Sequence, residues 1–502
     1  MTTTAGGAGD PAGAGPVEHV RVAIIGAGFG GLTAAHLLAE RGIDDVVILE
    51  RDDGVGGTWR ANRYPGAACD VPSHLYSLSF APNARWSRAY AAQPEILAYV
   101  EDCYDRFDVR RKVRTATTVV AAEWQDAQAC WRLRTADGGE LEADVVVAAI
   151  GMFHTPRFAD IAGREDFRGT SFHSARWDPD VDLTGKRVAV IGSGASAIQI
   201  VPSIAEQTAH LTVFQRTPAW ILPRPDEPFT AEQQQRFADD PAEARRFRDE
   251  IERYFERNTS FMRDDPLADV ILGYASDHLA RSVADDDLRA RLTPGYPIGC
   301  KRILVSSDYY PAMQRDDVEL VTDPIERITP TGVRTADGTD HDVDVIVWCT
   351  GFRAGDYLRG IEVVGRDGTS IHDVWAGVPR AHLGMTVPGF PNLFMLYGPN
   401  TNQGGNSILL ILEAQSGYVA DLVATMDAEG HASAEIRADA MDRYGAELRD
   451  ALERTVWHGG CATYFHAESG DIVTQLPHPS RWYRDRAARF DPADFELRAR
   501  VD

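Results

Sequence analysis

The sequence lacks a C-x-x-C pair: its six cysteines, at positions 69, 103, 130, 300, 349 and 461, are scattered along 502 residues. This spacing gives neither a zinc-binding pattern nor a disulfide framework, and it is typical of a reduced, cytosolic protein. Basic charge is also scarce, because 51 Lys and Arg stand against 75 Asp and Glu, a net charge of −24. Such an acidic chain argues against binding to nucleic acid or to anionic membranes.

Long apolar runs and a secretion signal are missing as well. No run approaches the roughly 18 apolar residues that a membrane-spanning helix needs. The first residues, rich in Gly, Ala and Thr, have neither the basic start nor the apolar core of a signal peptide. We therefore expect residues 1–18 to be a disordered leader and the protein to be cytoplasmic. With 502 residues of which 44% are apolar, the chain can bury two or three cores.

Two similar glycine-rich stretches dominate what the sequence does contain: VAIIGAGFGG from Val22 and VAVIGSGASA from Val188. Each predicts a buried parallel strand, a G-x-G-x-x-G/A turn and the start of a helix, the pattern that binds the pyrophosphate of a dinucleotide. One such turn also occurs in proteins that bind nothing, but two copies with matching flanks are far more specific. The predicted binding residues in these turns are Gly26, Gly28 and Gly31 in the first and Gly192, Gly194 and Ser196 in the second.

The two copies differ at the position 24 residues after the first glycine. In the first copy this position is Glu50, whose carboxylate can accept hydrogen bonds from a ribose 2′-hydroxyl. In the second it is Arg216, whose guanidinium can pair with a 2′-phosphate; the alternative is a solvated cation at the end of a strand. We therefore predict FAD at the first site and NADPH at the second.

Both units end in the same way, with a strand, an Asp-Gly turn and an apolar strand. The turns are at Asp137-Gly138 and Asp337-Gly338, and Asp-Gly favours a hairpin. This repeat indicates an internal duplication of a nucleotide-binding unit.

These patterns predict an α/β fold with two Rossmann-like dinucleotide-binding domains. We expect residues 19–160 and 386–502 to form the FAD-binding domain and residues 161–385 to form the NADPH-binding domain. Between about 226 and 300 the composition becomes charged and helix-favouring, which predicts a helical insertion in the second domain.

The segment from Phe167 to Asp178, FRGTSFHSARWD, lies just before the second glycine turn. It matches the pattern F-x-G-x-x-x-H-x-x-x-W-[P/D], and from about residue 20 to its C-terminal tail the chain resembles the type I Baeyer–Villiger monooxygenases. The resemblance implies an FAD-containing, NADPH-dependent enzyme that inserts one oxygen atom from O2 next to a ketone carbonyl, via C4a-peroxyflavin, to give an ester or lactone. We expect His173 in this segment to be a hinge or packing residue.

A second stretch that resembles the family is GCKRILVSSDYY, from Gly299 to Tyr310. The resemblance implies that Arg302 faces the flavin, where a fixed guanidinium stabilises the peroxide and then an oxyanion, and that Asp70 holds this arginine in place. It also places Arg216, Thr217 and Lys301 around the 2′-phosphate of NADPH. The other predicted FAD contacts are Gly57, Thr58, Trp59, Asp70, Tyr76, Val119 and Asn406.

Several alternatives stay open from the residues alone. A flavin N- or S-oxygenase would not need Arg302, and an NADPH oxidase or redox-sensing module could use the same folds. Trp457 either lines the substrate side or is a buried aromatic residue. We expect no metal site, because His458, Cys461 and His466 have no fourth ligand nearby. The ketone could be linear, cyclic, aryl or steroidal.

Overall fold

The computed structural model describes residues 17–258, 261–461 and 463–499, so that most of the predicted leader lies outside these ranges. Its strands are β1 Glu18–Ile25, β2 Val46–Leu49, β3 Val113–Arg114, β4 Val119–Gln125, β5 Cys130–Thr135, β6 Glu140–Ala148, β7 Thr170–His173, β8 Arg187–Ile191, β9 His210–Phe214, β10 Ile221–Leu222, β11 Leu304–Val305, β12 Val318–Val321, β13 Ile325–Thr329, β14 Gly332–Thr335, β15 Asp340–Asp342, β16 Val345–Trp348, β17 Glu362–Val364, β18 Leu393–Met395, β19 His431–Ile436 and β20 Phe495–Ala499. Its helices are α1 Phe29–Glu40, α2 Thr58–Ala61, α3 Gln93–Arg106, α4 Ala197–Ile204, α5 Ala231–Asp239, α6 Pro241–Asn258, α7 Pro266–Ser282, α8 Asp286–Leu292, α9 Tyr309–Ala312, α10 Ile371–Trp375, α11 Ile408–Glu429, α12 Ala438–Leu452 and α13 Ser480–Arg486.

The first sheet has the strand order β17-β4-β5-β6-β1-β2-β3, and β18 also pairs with β6. Its centre is parallel, because β1 pairs in parallel with both β2 and β6. The side chains of Val22, Ala23 and Ile24 in β1 are fully buried, as expected for a parallel strand covered on both faces. Helices α1 and α11 pack against each other on this sheet. A strand from late in the chain, β18, therefore completes the first domain.

The second sheet has the order β12-β9-β8-β16-β7 and is parallel throughout. Both units also contain the predicted hairpin, β5–β6 in the first and β14–β15 in the second. The turn glycines Gly138 and Gly338 have φ angles of +89° and +91°, which glycine adopts without steric cost. The predicted α/β class with two Rossmann-like domains is confirmed, and the internal duplication is visible in the fold.

Each glycine turn follows the central strand of its sheet. Gly26, after β1, has φ +106°, and a Cβ there would lie 2.7 Å from the carbonyl oxygen of Ala149. Gly192, after β8, has φ +111°, and its Cβ would lie 2.4 Å from the carbonyl oxygen of Cys349. Both turns thus press against the end of a neighbouring strand, at the carboxyl edge where doubly wound sheets bind ligands.

The insertion is helical, since α5, α6, α7 and α8 lie within or at the edges of the predicted range. Helix α6 contacts the first domain: Glu252 forms an ion pair with Arg484, and Asn406 Nδ2 donates a 3.0 Å hydrogen bond to Glu256. The return to the first sheet begins at β17, where Glu362 lies opposite Ala121, and not at the predicted residue 386. A three-residue edge strand is too short to produce a sequence pattern of its own.

Helix α11 begins at Ile408 and, by length and composition, is apolar enough to cross a membrane. However, most of its apolar stretch is buried inside the protein, and Leu409 and Leu422 are fully buried in the core between α11 and the first sheet. We therefore interpret α11 as a core helix of the first domain.

The sequence predicts a reduced protein without a disulfide framework, but two of the six cysteines are paired. Cys300 and Cys461, 161 residues apart, form a disulfide with their Cα atoms 5.7 Å apart, while Cys69, Cys103, Cys130 and Cys349 are buried and free. Sequence spacing gave no sign of this pair, because only the tertiary fold brings the two segments together. The bridge joins the loop that carries Lys301 and Arg302 to the C-terminal part of the chain.

We predict that Gly192→Ala lowers the free energy of unfolding by about 1–3 kcal/mol, because the new Cβ meets the Cys349 carbonyl and the backbone has a positive φ. Gly194→Ala is the matched control, since no atom lies within 4 Å of a Cβ there, and should change stability by less than about 0.5 kcal/mol. Urea unfolding of the FAD-loaded variants tests this; equal midpoints for both variants would contradict it.

Candidate active site

One cavity of about 1320 Å³ connects the two glycine turns. It is larger than the roughly 300–1,000 Å³ of an ordinary small-molecule pocket, so it has room for more than one ligand. Of the residues predicted to bind a cofactor or to act in catalysis, all except Gly31 line it: Gly26, Gly28, Glu50, Gly57, Thr58, Trp59, Asp70, Tyr76, Val119, Gly192, Gly194, Ser196, Arg216, Thr217, Lys301, Arg302 and Asn406. The structure therefore brings together residues from distant parts of the chain, and their individual roles stay predictions.

Gly31, in the first turn of α1, lies directly against the backbone of the first glycine turn. A Cβ at this position would lie 2.1 Å from the carbonyl oxygen of Gly26, so only glycine lets α1 pack this closely on β1. Gly28 and Gly57 face each other in a similar way, because a Cβ on Gly57 would lie 2.9 Å from the Gly28 Cα. These close contacts leave the backbone of the turn open to the cavity, as a pyrophosphate requires.

Glu50 lies at the end of β2 and is 6% exposed. Its Oε2 accepts a 2.6 Å hydrogen bond from the Ala27 N–H, and its Oε1 accepts a 2.8 Å bond from the Asp52 N–H. Burial raises the pKa of Glu50, and the two backbone donors oppose this shift by stabilising the carboxylate. Each oxygen has a second lone pair, so the carboxylate fits the hydroxyls of a ribose held against the first glycine turn.

Arg216 and Lys301 lie together at the second turn. Arg216 is exposed at the end of β9, and Lys301 lies 4.9 Å from the centre of the Tyr296 ring. Burial lowers the pKa of Lys301, and the positive charge of Arg216 lowers it further. Two cations close enough to repel each other fit an anion between them, such as a 2′-phosphate. Thr217 supports this corner, since its carbonyl oxygen accepts a 3.0 Å hydrogen bond from Ser193 Oγ.

Arg302 and Asp70 form an ion pair across the two domains. Arg302 Nε and Nη2 both donate to Asp70 Oδ2, at 3.1 and 2.5 Å. The side chains are 26% and 27% exposed, and both line the cavity. The charge of Asp70 raises the pKa of Arg302 and outweighs the effect of burial, so the guanidinium stays positive at every working pH.

Trp59 and Tyr76 form a wall beside this ion pair. Trp59 Nε1 donates a 3.0 Å hydrogen bond to the Tyr76 hydroxyl, and the two ring centres are 5.6 Å apart. Gln93 Nε2 donates to the Trp59 carbonyl oxygen at 2.5 Å. These contacts fix the orientation of both aromatic rings before any ligand is bound.

Three residues that the sequence reasoning missed also line the cavity: Tyr397, Asn402 and Tyr464. The Tyr397 hydroxyl donates a 2.6 Å hydrogen bond to Asn402 Oδ1. Burial raises the pKa of Tyr464, and the positive charge of Arg302 opposes this shift. Tyr397 and Asn402 lie in the glycine-rich turn before α11, and the glycines of that turn could have marked it as a candidate binding segment. No sequence pattern identifies Tyr464, because its position in the cavity depends on the path of a C-terminal loop.

Trp457 is a buried aromatic residue. It is 1% exposed, and its Nε1 donates a 3.0 Å hydrogen bond to the carbonyl oxygen of Gly299. Of the two interpretations left open, the structure supports this one. His466 Nε2 lies 3.1 Å from the Trp457 carbonyl oxygen, and the described residues contain no cluster of three potential metal ligands.

His173 is the last residue of β7, lies opposite Trp348 and is 1% exposed. Its Nδ1 accepts a 3.1 Å hydrogen bond from the Ala175 N–H. Burial lowers the pKa of His173 to about 4, so the ring is neutral near pH 7. These contacts agree with a packing residue between the domains.

Comparison with known proteins connects this geometry to a family. A family model for pyridine nucleotide-disulphide oxidoreductases matches residues 23–266. A Baeyer–Villiger monooxygenase from Pseudomonas aeruginosa is 42% identical over 484 residues, which cover 96% of this chain and 92% of the relative.

Two solved structures extend the similarity to the whole fold. Cyclohexanone monooxygenase from Rhodococcus sp. Phi1 bound to NADP+ has a TM-score of 0.87 and 31% identity, covering 96% of this chain and 100% of that chain. The OTEMO complex with FAD and NADP has a TM-score of 0.86 and 29% identity, covering 95% and 99%. With its two dinucleotide sites and a cavity that joins them, the chain belongs to the Baeyer–Villiger monooxygenase family and is an FAD-containing, NADPH-dependent monooxygenase.

Proposed function

We propose that this enzyme inserts one oxygen atom from O2 next to the carbonyl of a ketone, giving an ester or lactone, and that Arg302, held by Asp70, is its catalytic group. The observation that carries the proposal is a permanently charged guanidinium fixed on the cavity wall between the two dinucleotide sites. When bound, the flavin activates O2 with electrons supplied by NADPH.

Arg302 suits this reaction because negative charge develops on oxygen atoms as a ketone is oxidised. A cation that is already in place stabilises that charge without rearranging in the transition state. Asp70 accepts two of the five N–H groups of the guanidinium, so others remain free to face a ligand. An N- or S-oxygenation places no negative charge on a carbonyl oxygen and would not need this group.

We assign the cofactors to the two halves of the cavity. FAD would be held at the first glycine turn, with Glu50 accepting hydrogen bonds from its ribose and Trp59 and Arg302 on the side of its ring. NADPH would be held at the second turn, with Arg216 and Lys301 pairing with its 2′-phosphate. The assignment is supported by the hydrogen bonding of Glu50 and by the repulsion between the two cations.

The domains follow from this assignment. The FAD-binding domain contains β1–β6 and the later segment from β17 onwards, and the NADPH-binding domain contains β7–β16 with the helical insertion α5–α8. The support is the pairing of strands within each sheet.

The substrate is an uncharged, apolar ketone. The cavity wall beside Arg302 is aromatic: the centre of the Phe153 ring lies 5.5 Å from that of Phe352, 6.5 Å from Tyr397 and 6.0 Å from Tyr464. Such a wall favours an apolar substrate and helps to exclude water from the reaction. We therefore use cyclohexanone as the first probe.

We place the enzyme in the cytoplasm, without nucleic-acid or membrane partners. A net charge of −24 supports this, because anionic polymers and lipid surfaces would repel it. The Cys300–Cys461 disulfide is the observation that speaks against it, since disulfides are rare in that compartment.

We predict that Arg302→Ala lowers ester formation from cyclohexanone by about 100-fold or more, the usual effect of removing an oxyanion-stabilising donor. Oxidation of a thioether, where the wild type shows it, should fall much less. Product analysis by mass spectrometry with NADPH and O2 measures both, and FAD content checks that the variant is loaded.

Arg302→Lys is the control, because it keeps the positive charge but loses the planar guanidinium with its paired N–H donors. Its ester formation should lie between that of wild type and that of Arg302→Ala. Equal ester formation by wild type and Arg302→Ala would overturn the role of Arg302. Heteroatom oxides without any ester, from both proteins, would instead move the chain to the N- or S-oxygenases, and peroxide as the main product would make it an oxidase.

We predict that Arg216→Gln raises the KM for NADPH by about 10- to 100-fold, because a charged hydrogen bond to phosphate contributes roughly 1.5–3 kcal/mol. The KM for NADH should change by less than about twofold, since NADH has no 2′-phosphate. Steady-state kinetics with both coenzymes tests this. Arg281→Gln, on an exposed part of α7, is the matched control. An equal rise for both coenzymes would contradict the proposed phosphate site.

A further inference from the structure

The Lys301 ammonium lies over the face of an aromatic ring. Its Nζ is 4.9 Å from the centre of the Tyr296 ring, within the roughly 6 Å at which a cation is attracted to an aromatic face. Burial raises the pKa of Tyr296 to about 12, so the hydroxyl is neutral and the attraction comes from the ring and not from a phenolate. Both side chains line the cavity, and an ammonium held in this way keeps N–H donors for a ligand there.

Tyr296 is fixed at two points to the segment that follows Arg216. Its hydroxyl donates a 3.0 Å hydrogen bond to the carbonyl oxygen of Pro218, and its own carbonyl oxygen accepts a 3.0 Å bond from Trp220 Nε1. The ring also packs against a small core that includes Trp220 and Ile298. Because Pro218 follows Arg216 by two residues, Tyr296 connects the two chain segments that supply the cations of the second glycine turn.

A lysine at this corner of the cavity gains from such support. Its ammonium ends a flexible four-carbon chain, and ordering that chain costs conformational entropy. The charge of Arg216 disfavours a second cation here, as the lowered pKa of Lys301 reflects. The Tyr296 ring opposes both effects, because it attracts the ammonium and is itself held by the surrounding chain. A cation that is already in position binds an anion with a smaller loss of entropy.

We propose that Tyr296 is a positioning residue for the 2′-phosphate of NADPH, because its ring holds the Lys301 ammonium on the cavity wall. Tyr296 thereby contributes to the selectivity of the enzyme for NADPH over NADH. The inference rests on the proposed phosphate site of Arg216 and Lys301. It requires no contact between Tyr296 and the coenzyme itself.

Tyr296→Leu tests this, because it removes the aromatic face but keeps an apolar side chain for the small core. We expect the Kd for NADP+, measured by titration calorimetry on the FAD-loaded protein, and the KM for NADPH to rise by about fivefold, the effect of one partly exposed cation–π contact. The kcat with NADPH and the KM for NADH should change by less than about twofold, because NADH has no 2′-phosphate. Tyr296→Phe keeps the ring and should retain the affinity for NADP+ within about twofold.

Tyr274→Leu is the matched control, since Tyr274 is 65% exposed on α7 and lies outside the cavity. It should leave the Kd for NADP+ unchanged. Tyr296→Met, which also lacks an aromatic face, gives an independent variant and should behave as Tyr296→Leu does. If the ring acts through Lys301, adding Tyr296→Leu to Lys301→Met should weaken NADP+ binding by less than about twofold beyond Lys301→Met alone.

An unchanged Kd for NADP+ in Tyr296→Leu and Tyr296→Met would overturn the inference. So would an equal rise of the KM for NADPH and NADH, because that would indicate a contact with a part that both coenzymes share. A full additional loss in the double variant, or a loss in Tyr296→Phe as large as in Tyr296→Leu, would also contradict it. If Lys301→Met left NADP+ binding unchanged, the proposed phosphate site would fail instead, so the two failures are distinguishable. The calorimetry needs no ketone and does not depend on the proposed reaction.

Discussion

The ion pair between Arg302 and Asp70 is the interaction on which the site depends. Its carboxylate comes from the loop between α2 and α3 of the first domain, and its guanidinium comes from the loop before β11 in the second. A charge at the domain boundary is costly unless it is paired, and pairing across the boundary also fixes how the two dinucleotide sites face each other. The cavity, its two glycine turns and its aromatic wall are arranged around this contact.

The two glycine turns have the same backbone geometry, but the side chain beside each turn carries the opposite charge. Gly26 and Gly192 adopt nearly the same φ and press against the equivalent strand ends. What separates them is the residue at the end of the next strand, where Glu50 meets backbone donors and Arg216 stands near Lys301. The fold thus supplies two equivalent glycine turns, and in the proposed assignment a single side chain beside each would distinguish a ribose hydroxyl from a phosphate.

The sequence was sufficient for features that depend on short-range patterns. The glycine turns, the duplicated hairpins and the helical insertion each follow from residues close together in the chain, so the two-domain fold was predictable. Tyr464 and the Cys300–Cys461 bridge were not, because both depend on where a C-terminal loop crosses the other domain. The short strand β17 was also missed, since three residues on a sheet edge have too little pattern to detect.

The measurement that tests the account most directly is product formation by Asp70→Asn, which keeps the shape of the side chain but removes the charge that holds Arg302. The account predicts that ester formation from cyclohexanone falls by about tenfold or more while the FAD content and the binding of NADP+ stay close to wild type. NADPH would still be oxidised, with peroxide as the main product. Ester formation at the wild-type rate would contradict the central claim that this cross-domain ion pair directs the reaction.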